Sequence, residues 1–203
     1  MKTRKLGTWI TAAFIMAALL IAPVVFAAKE GGKRDPYPDK GGLKPKVTVA
    51  VDGLTCPFCA YGLEKRIKKL SAVRESTINI KKGTVELFPK KGQHIEIDAV
   101  KDAVKNGGFT PREIWVALVG KLMEWNGEIT LSIVSENKEK QKDETKYLLK
   151  DNDQLKQLKA SVKPSGQDIF IAGKVIKASP DGHADHPYTI VIDTFHVLSK
   201  EKN

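Results

Sequence analysis

KVTVAVDGLTCPFC, residues 46–59, passes from a strand through a short loop to the start of a helix. Val47, Val49 and Val51 alternate with polar or small residues, which is the period of a half-buried strand. From Cys59 onwards the apolar residues recur with helical spacing, at positions 59, 63, 67 and 70. The sequence therefore places two cysteines where a strand passes into a helix.

A β-hairpin is predicted after this helix. Thr77-Ile78-Asn79-Ile80 and Thr84-Val85-Glu86-Leu87-Phe88 have strand composition, and Lys81-Lys82-Gly83 supplies the turn between them.

A second helix and a further strand follow the hairpin. Asp98 is the predicted cap of the helix, Val100 and Val104 face inward, and Gly107-Gly108 ends it. Pro111 precedes the next β pattern. The order strand, helix, strand, strand, helix, strand is that of the ferredoxin-like fold, an α+β arrangement.

The second half of the chain predicts a small β-barrel. Residues 114–125 stay strand-like up to Asn126-Gly127, a strong signal for a type I′ hairpin turn, so the last strand of the first half should run directly into the barrel. The remaining elements are strands at 128–134, 147–149, 168–178 and 188–198, a charged loop at 136–144 and a helix at 151–162. Five strands with a helix between the third and fourth are typical of an OB-like barrel, with Gly120 and Gly173 as bending points.

Cys56 and Cys59 are the cysteines of the chain, and the loop before the helix leaves both sulfurs at the edge of the fold. The helix N-terminus favours the thiolate form through its positive potential and free N–H groups. Two thiolates suit a soft ion that accepts two ligands, such as Cu(I) or Hg(II), whereas Zn(II) prefers four. We therefore interpret Cys56 and Cys59 as metal ligands.

Residues 53–59, Gly-Leu-Thr-Cys-Pro-Phe-Cys, resemble the G-M-T-C-x-x-C motif of the heavy-metal-associated domain family, which includes copper chaperones and periplasmic mercury-binding proteins. Leu54 stands where the family has Met, an interior packing position. Asn106-Gly107-Gly108-Phe109 resembles the family's late A-G-F segment, which implies that Phe109 lies near the metal loop. The resemblance covers roughly residues 46–115 and implies a ferredoxin-like fold that binds and transfers a soft metal ion.

Two other functions remain open. Cys-Pro-Phe-Cys at a helix start also suits a thiol–disulfide oxidoreductase, although thioredoxin-like folds have a helix where this chain has its hairpin and need a cis-proline loop that is not apparent here. Alternatively, the barrel binds a partner or ligand and the metal domain is accessory. Trp115, Trp125 and the ring residues Phe170, Tyr188 and Phe195 are candidates for the floor of such a groove.

The histidines give weaker signals. His183 and His186 form a His-x-x-His pair in a loop rich in Pro, Gly and Asp, where exposed turn residues are the usual interpretation and metal ligation is the alternative. His94 and His196 stand alone. No Ser/His/Asp set or phosphate loop is visible, so the sequence predicts a protein that is not an enzyme.

The first 27 residues read as a signal peptide, which predicts a periplasmic or otherwise exported protein. Lys2, Arg4 and Lys5 precede an apolar run that ends near Ala27. Because the leader holds no acidic residue, its removal changes the formal net charge from +10 to +7. No later stretch is long and apolar enough to span a membrane.

Four regions follow from these patterns: a signal peptide at 1–27, a flexible linker rich in Gly, Pro and charged residues at 28–45, a heavy-metal-associated domain at 46–117 and an OB-like barrel at 118–203. Lys is more frequent than Arg and no aromatic series is interleaved with the basic residues, which argues against nucleic acid as a partner. The expected partners are the metal ion and a membrane metal transporter or another thiolate-bearing protein.

Overall fold

A computed structural model describes residues 43–136, 141–162, 167–177 and 188–198. The predicted signal peptide, nearly all of the predicted linker, and His183 and His186 lie outside these ranges. The described elements are β1 (Lys46–Asp52), α1 (Pro57–Ile67), β2 (Val73–Asn79), β3 (Thr84–Pro89), α2 (Ile97–Asn106), β4 (Thr110–Trp125), β5 (Glu128–Glu136), β6 (Lys142–Leu149), α3 (Asp153–Ser161), β7 (Asp168–Lys177) and β8 (Tyr188–Val197).

The first half has the predicted ferredoxin-like topology. Its strands lie in the order β2-β3-β1-β4 and all neighbouring pairs are antiparallel. On one face of the sheet, the alternating valines of β1 pack with Ile114 and Val116 of β4 and with the buried side chains of α1 and α2. This core holds the loop after β1 in place.

β4 is shared by both halves. It runs without interruption from Thr110 to Trp125, as the sequence predicts, and pairs with β1 through its first part and with β5 through its last part. Its opposite edge pairs with β7. Because the hydrogen-bonded strand is continuous, and one hydrophobic core extends through both halves, the two halves have a fixed relative orientation.

The second half is a five-stranded barrel. The ring runs β4-β5-β6-β8-β7 and closes through the pairing of β7 with β4; β6 and β8 are parallel and the other pairs are antiparallel. α3 lies between the third and fourth strands of the ring in chain order, and Asn126 and Gly127 have the positive φ angles that a type I′ turn requires. The strand pairing shifts register between Ala172 and Gly173, which confirms a bend at Gly173.

Three local predictions are wrong. Cys59 does not lie on the inner face of α1. The helix begins at Pro57, and Ala60 is the first residue of its buried face. Asp98 does not cap α2: Glu96 holds that position, and the Asp98 carboxylate accepts a hydrogen bond from the Tyr188 hydroxyl of the barrel. Residues 142–144, predicted as part of a charged loop, begin β6, where pairing with β5 overrides their polar composition.

A buried histidine joins the two halves. His94, in the segment between β3 and α2, is hydrogen-bonded through Nε2 to the hydroxyl of Tyr147 in β6 at 2.7 Å, and two residues further along the Glu96 carboxylate accepts from Thr145 at 3.1 Å. His94 is thus a satisfied core residue. Burial lowers its pKa from 6.5 to about 4, because removing the imidazolium from water outweighs the attraction of the Glu96 carboxylate, 3.9 Å away.

Acid should therefore weaken the junction between the two halves. His94 stays neutral in the folded protein between pH 6.5 and about 4, whereas the unfolded chain takes up a proton there. The free energy of unfolding should fall through this window by up to about 1.4 kcal/mol per pH unit. Urea unfolding of the wild type and His94→Gln at several pH values measures this, because the carboxylates common to both cancel in the comparison. Parallel pH dependences in the two proteins would contradict it.

Candidate metal centre

The loop after β1 depends on a glycine that no other residue replaces easily. Gly53 has φ +85, a left-handed conformation that side chains with a Cβ rarely adopt. Thr55 N–H then donates to the Gly53 carbonyl at 2.9 Å, which closes a tight turn directly before Cys56. Leu54 is 3% exposed, so the residue at the family's Met position fills the interior as expected.

Cys56 and Cys59 occupy the start of α1. Cys56 is the N-cap residue, Pro57 is the first helical residue, and the Cys56 carbonyl accepts from the N–H of Ala60 at 3.0 Å. Both cysteines are free thiols; Cys56 is partly buried and Cys59 is exposed. A proline at the first turn suits this arrangement, since its missing N–H would have no helical partner there.

The two thiols differ in acidity. The pKa of Cys56 is lowered, first by the backbone N–H of Cys59 and then by the Cys59 thiol and the N–H of Phe58. The pKa of Cys59 is raised, first by its hydrogen bond to the Cys56 sulfur and then by desolvation and the negative charge of Cys56. Cys56 is therefore the first thiolate of the pair, and Cys59 supplies the second when its proton is displaced.

Aromatic side chains surround the cysteine loop. Phe109 lies beneath it: its ring carbon Cδ1 is 3.7 Å from the position that a Cβ on Gly53 would take, so the expected proximity is confirmed. Phe58, between the cysteines, is 86% exposed, and Tyr61 on the next turn is also exposed, with the Lys65 ammonium 4.5 Å from its ring centre. A partner can thus approach the sulfurs directly from solvent.

The other candidate residues lie elsewhere. His94 is in the core and exposed His196 lies beside Phe170 of the barrel. Of the aromatic candidates for a groove, Trp125 contacts Lys146 and Tyr188 lines a cleft beside α2. Within the described ranges, no three His, Cys, Asp or Glu side chains gather as a metal-binding cluster, and no helix is both long and apolar enough to cross a membrane.

A ferredoxin-like sheet with a cysteine pair at its first helix defines a class of small thiol-bearing domains. Residues 48–110 match the heavy-metal-associated domain family, and this part of the chain is a heavy-metal-associated domain. The chain is also 28% identical over 80 residues to copper-transporting ATPase 1 of Rhizobium meliloti (strain 1021). That alignment covers 37% of this chain and 9% of the ATPase, so this chain matches only a small part of its relative.

Solved structures similar to this chain include two copper proteins. The N-terminal domain of a potential copper-translocating P-type ATPase from Bacillus subtilis, in the Cu(I)-loaded state, is 26% identical; the alignment covers 34% of this chain and 84% of that domain, with a TM-score of 0.31. A yeast copper transporter domain, solved in apo and Cu(I)-loaded states, is 20% identical, with 34% and 92% covered and a TM-score of 0.31.

Proposed function

We propose that the chain is an exported, non-enzymatic protein that binds a soft metal ion through Cys56 and Cys59 and passes it to a thiolate-bearing partner. The observation that carries this is the pair of free thiols at the start of α1, one with a lowered pKa and the other exposed. Two thiolates can ligate an ion that accepts two-coordinate geometry. Membership of residues 48–110 in the heavy-metal-associated family supports the same chemistry.

Cu(I) is the metal we favour over Hg(II), because the sequence relative is a copper-transporting ATPase. Transfer would proceed by shared ligation, in which a partner thiolate joins the ion before one of the two cysteines leaves it. The exposure of Cys59 and the solvent-facing position of Phe58 leave room for such an approach. The partner we propose is a membrane metal transporter or another protein with paired cysteines.

The periplasmic location and the fold of the second half belong to the same proposal. Basic residues followed by an apolar run at 1–27 support export. An OB-like identity for the barrel is supported by its five-stranded ring and by α3 between the third and fourth strands. The β2–β3 hairpin, where a thioredoxin-like fold would have a helix, makes an oxidoreductase the weaker candidate.

Native mass spectrometry of the reduced protein in a mixture of Cu(I), Hg(II) and Zn(II) tests the proposal. We expect one soft ion per chain and displacement of Zn(II), because Zn(II) lacks two of its four preferred ligands at this pair. The matched control is the same protein with an oxidised Cys56–Cys59 pair, which should bind no ion. Preferential retention of Zn(II), or thiol-exchange turnover like that of a thioredoxin, would contradict the proposal.

A further inference from the structure

An open cleft of about 690 Å³ lies where the first half meets the barrel. It is lined by Asp52 at the end of β1, Lys101 of α2, Arg112, Glu113 and Ile114 of β4, Val175, Ile176 and Lys177 at the end of β7, and Tyr188 at the start of β8. Its volume is in the range of small-molecule binding sites. Ile114 and Val175 are buried and form part of its apolar lining.

Three cationic side chains line this cleft together with one tyrosine. Lys101 Nζ donates to the Tyr188 hydroxyl at 2.9 Å and lies 4.4 Å from the centre of the Tyr188 ring. The Tyr188 hydroxyl in turn donates to the Asp98 carboxylate. Lys101 is thus held in place by its contacts with the barrel.

The acidic groups of the cleft already have cationic partners. The Asp52 carboxylate accepts from Arg112 Nε, and Glu113 accepts from Lys174 Nζ at 3.1 Å. The Lys177 side chain has no hydrogen-bond or ion-pair partner among the residues that the structure describes. Among the described residues, an incoming anion would therefore meet one ammonium without a counter-charge, next to a second cation and an apolar surface.

The charges within the cleft also favour an anionic ligand. The pKa of Lys101 is lowered chiefly by desolvation, and Lys105 and Lys177 lower it further by like-charge repulsion, against the attraction of Asp98. The ammonium groups of Lys101 and Lys177 thus lie close enough to repel each other. A bound anion would relieve this repulsion.

We propose that this cleft binds a small organic anion, whose acidic group contacts Lys177 and Arg112 and whose carbon skeleton packs on Ile114 and Val175. Arg112 keeps its terminal guanidinium nitrogens as donors for a carboxylate or phosphate while Nε serves Asp52. The ligand would lie beside the metal loop, because Asp52 directly precedes Gly53. The cleft does not depend on the proposed metal function, since none of these residues is a proposed metal ligand.

Calorimetric titration of the full chain without metal, at about 0.15 M salt, tests this with glutarate and with inorganic phosphate as probes. Glutarate should bind saturably with one site per chain, and more tightly than phosphate, which has no carbon skeleton for the apolar surface. Lys177→Gln and Arg112→Gln should each weaken glutarate binding about tenfold or more, the effect of losing a hydrogen bond to a charged group.

Lys156→Gln is the matched control, because Lys156 lies on α3, pairs with Asp153 and does not line the cleft. It should leave glutarate affinity within twofold of the wild type. Absence of saturable binding, equal binding of inorganic phosphate, or equal weakening by Lys156→Gln would each overturn the proposal.

Discussion

The Cys56→Ser and Cys59→Ser variants should each lose high-affinity binding of Cu(I), and the double variant should lose it completely. A two-coordinate ion that loses one thiolate loses half of its ligands, and a serine hydroxyl stays protonated and is a hard donor. The decrease in affinity should exceed the roughly 10–100-fold typical of changing a partner outside the ligand shell. Competition with a chromophoric Cu(I) chelator under reducing conditions measures it.

Phe58→Ala is the control for this experiment. Phe58 lies between the two cysteines and is 86% exposed, so its truncation removes neither a sulfur nor core packing. We expect wild-type equilibrium affinity in this variant. Full-strength binding by the double Cys→Ser variant would contradict the assignment of both cysteines and direct attention to His183 and His186, which lie outside the described residues.

Gly173→Ala should destabilise the barrel strongly. A Cβ at this position would lie 2.2 Å from the Val191 carbonyl oxygen and 3.0 Å from a methyl carbon of Ile190. The obstacle is backbone of the neighbouring strand β8, at the point where the pairing shifts register, so the clash cannot be relieved by rotating a side chain. The free energy of unfolding should fall by about 3 kcal/mol or more, at or above the upper end for overpacking. Urea unfolding followed by fluorescence measures the loss.

Gly62→Ala is the matched glycine control. Gly62 is on the exposed face of α1, and a Cβ there would meet nothing within 4 Å. Alanine should leave stability unchanged or raise it by up to about 1 kcal/mol, because glycine is the poorer helix former. A Gly173→Ala protein as stable as Gly62→Ala would show that the two strands separate easily at the bend.

Local patterns predicted most of the elements. The alternating valines of β1, the inward Val100 and Val104 of α2 and the Asn126-Gly127 turn are each found as the sequence indicates. These elements could be predicted from the sequence because the periods of strands and helices, and the positive φ angles of a type I′ turn, are properties of short segments. The errors at Cys59 and Asp98 concern helix starts, where a shift of one or two residues changes which side chain faces inward.

The contacts between the halves could not be predicted in this way. Tyr188 and Asp98 are 90 positions apart, and His94 and Tyr147 are 53 apart. Nothing in the composition around His94 distinguishes a buried, neutral histidine from an exposed one. Lys101 and Lys177 likewise read as ordinary surface lysines, and only the packing of α2 beside the ends of β7 and β8 places them in one cleft.

The sequence by itself determined the order of the elements, the continuous strand from one half to the other, and the cysteine pair at the start of a helix. These features depend on residues within about one strand or helix of each other. Only the tertiary structure decided that β7 closes the barrel on β4, that Cys59 faces solvent, and that a cleft lies beside the cysteine loop. The reason is physical: strand pairing and side-chain burial depend on surfaces contributed by distant parts of the chain, which local periodicity does not specify.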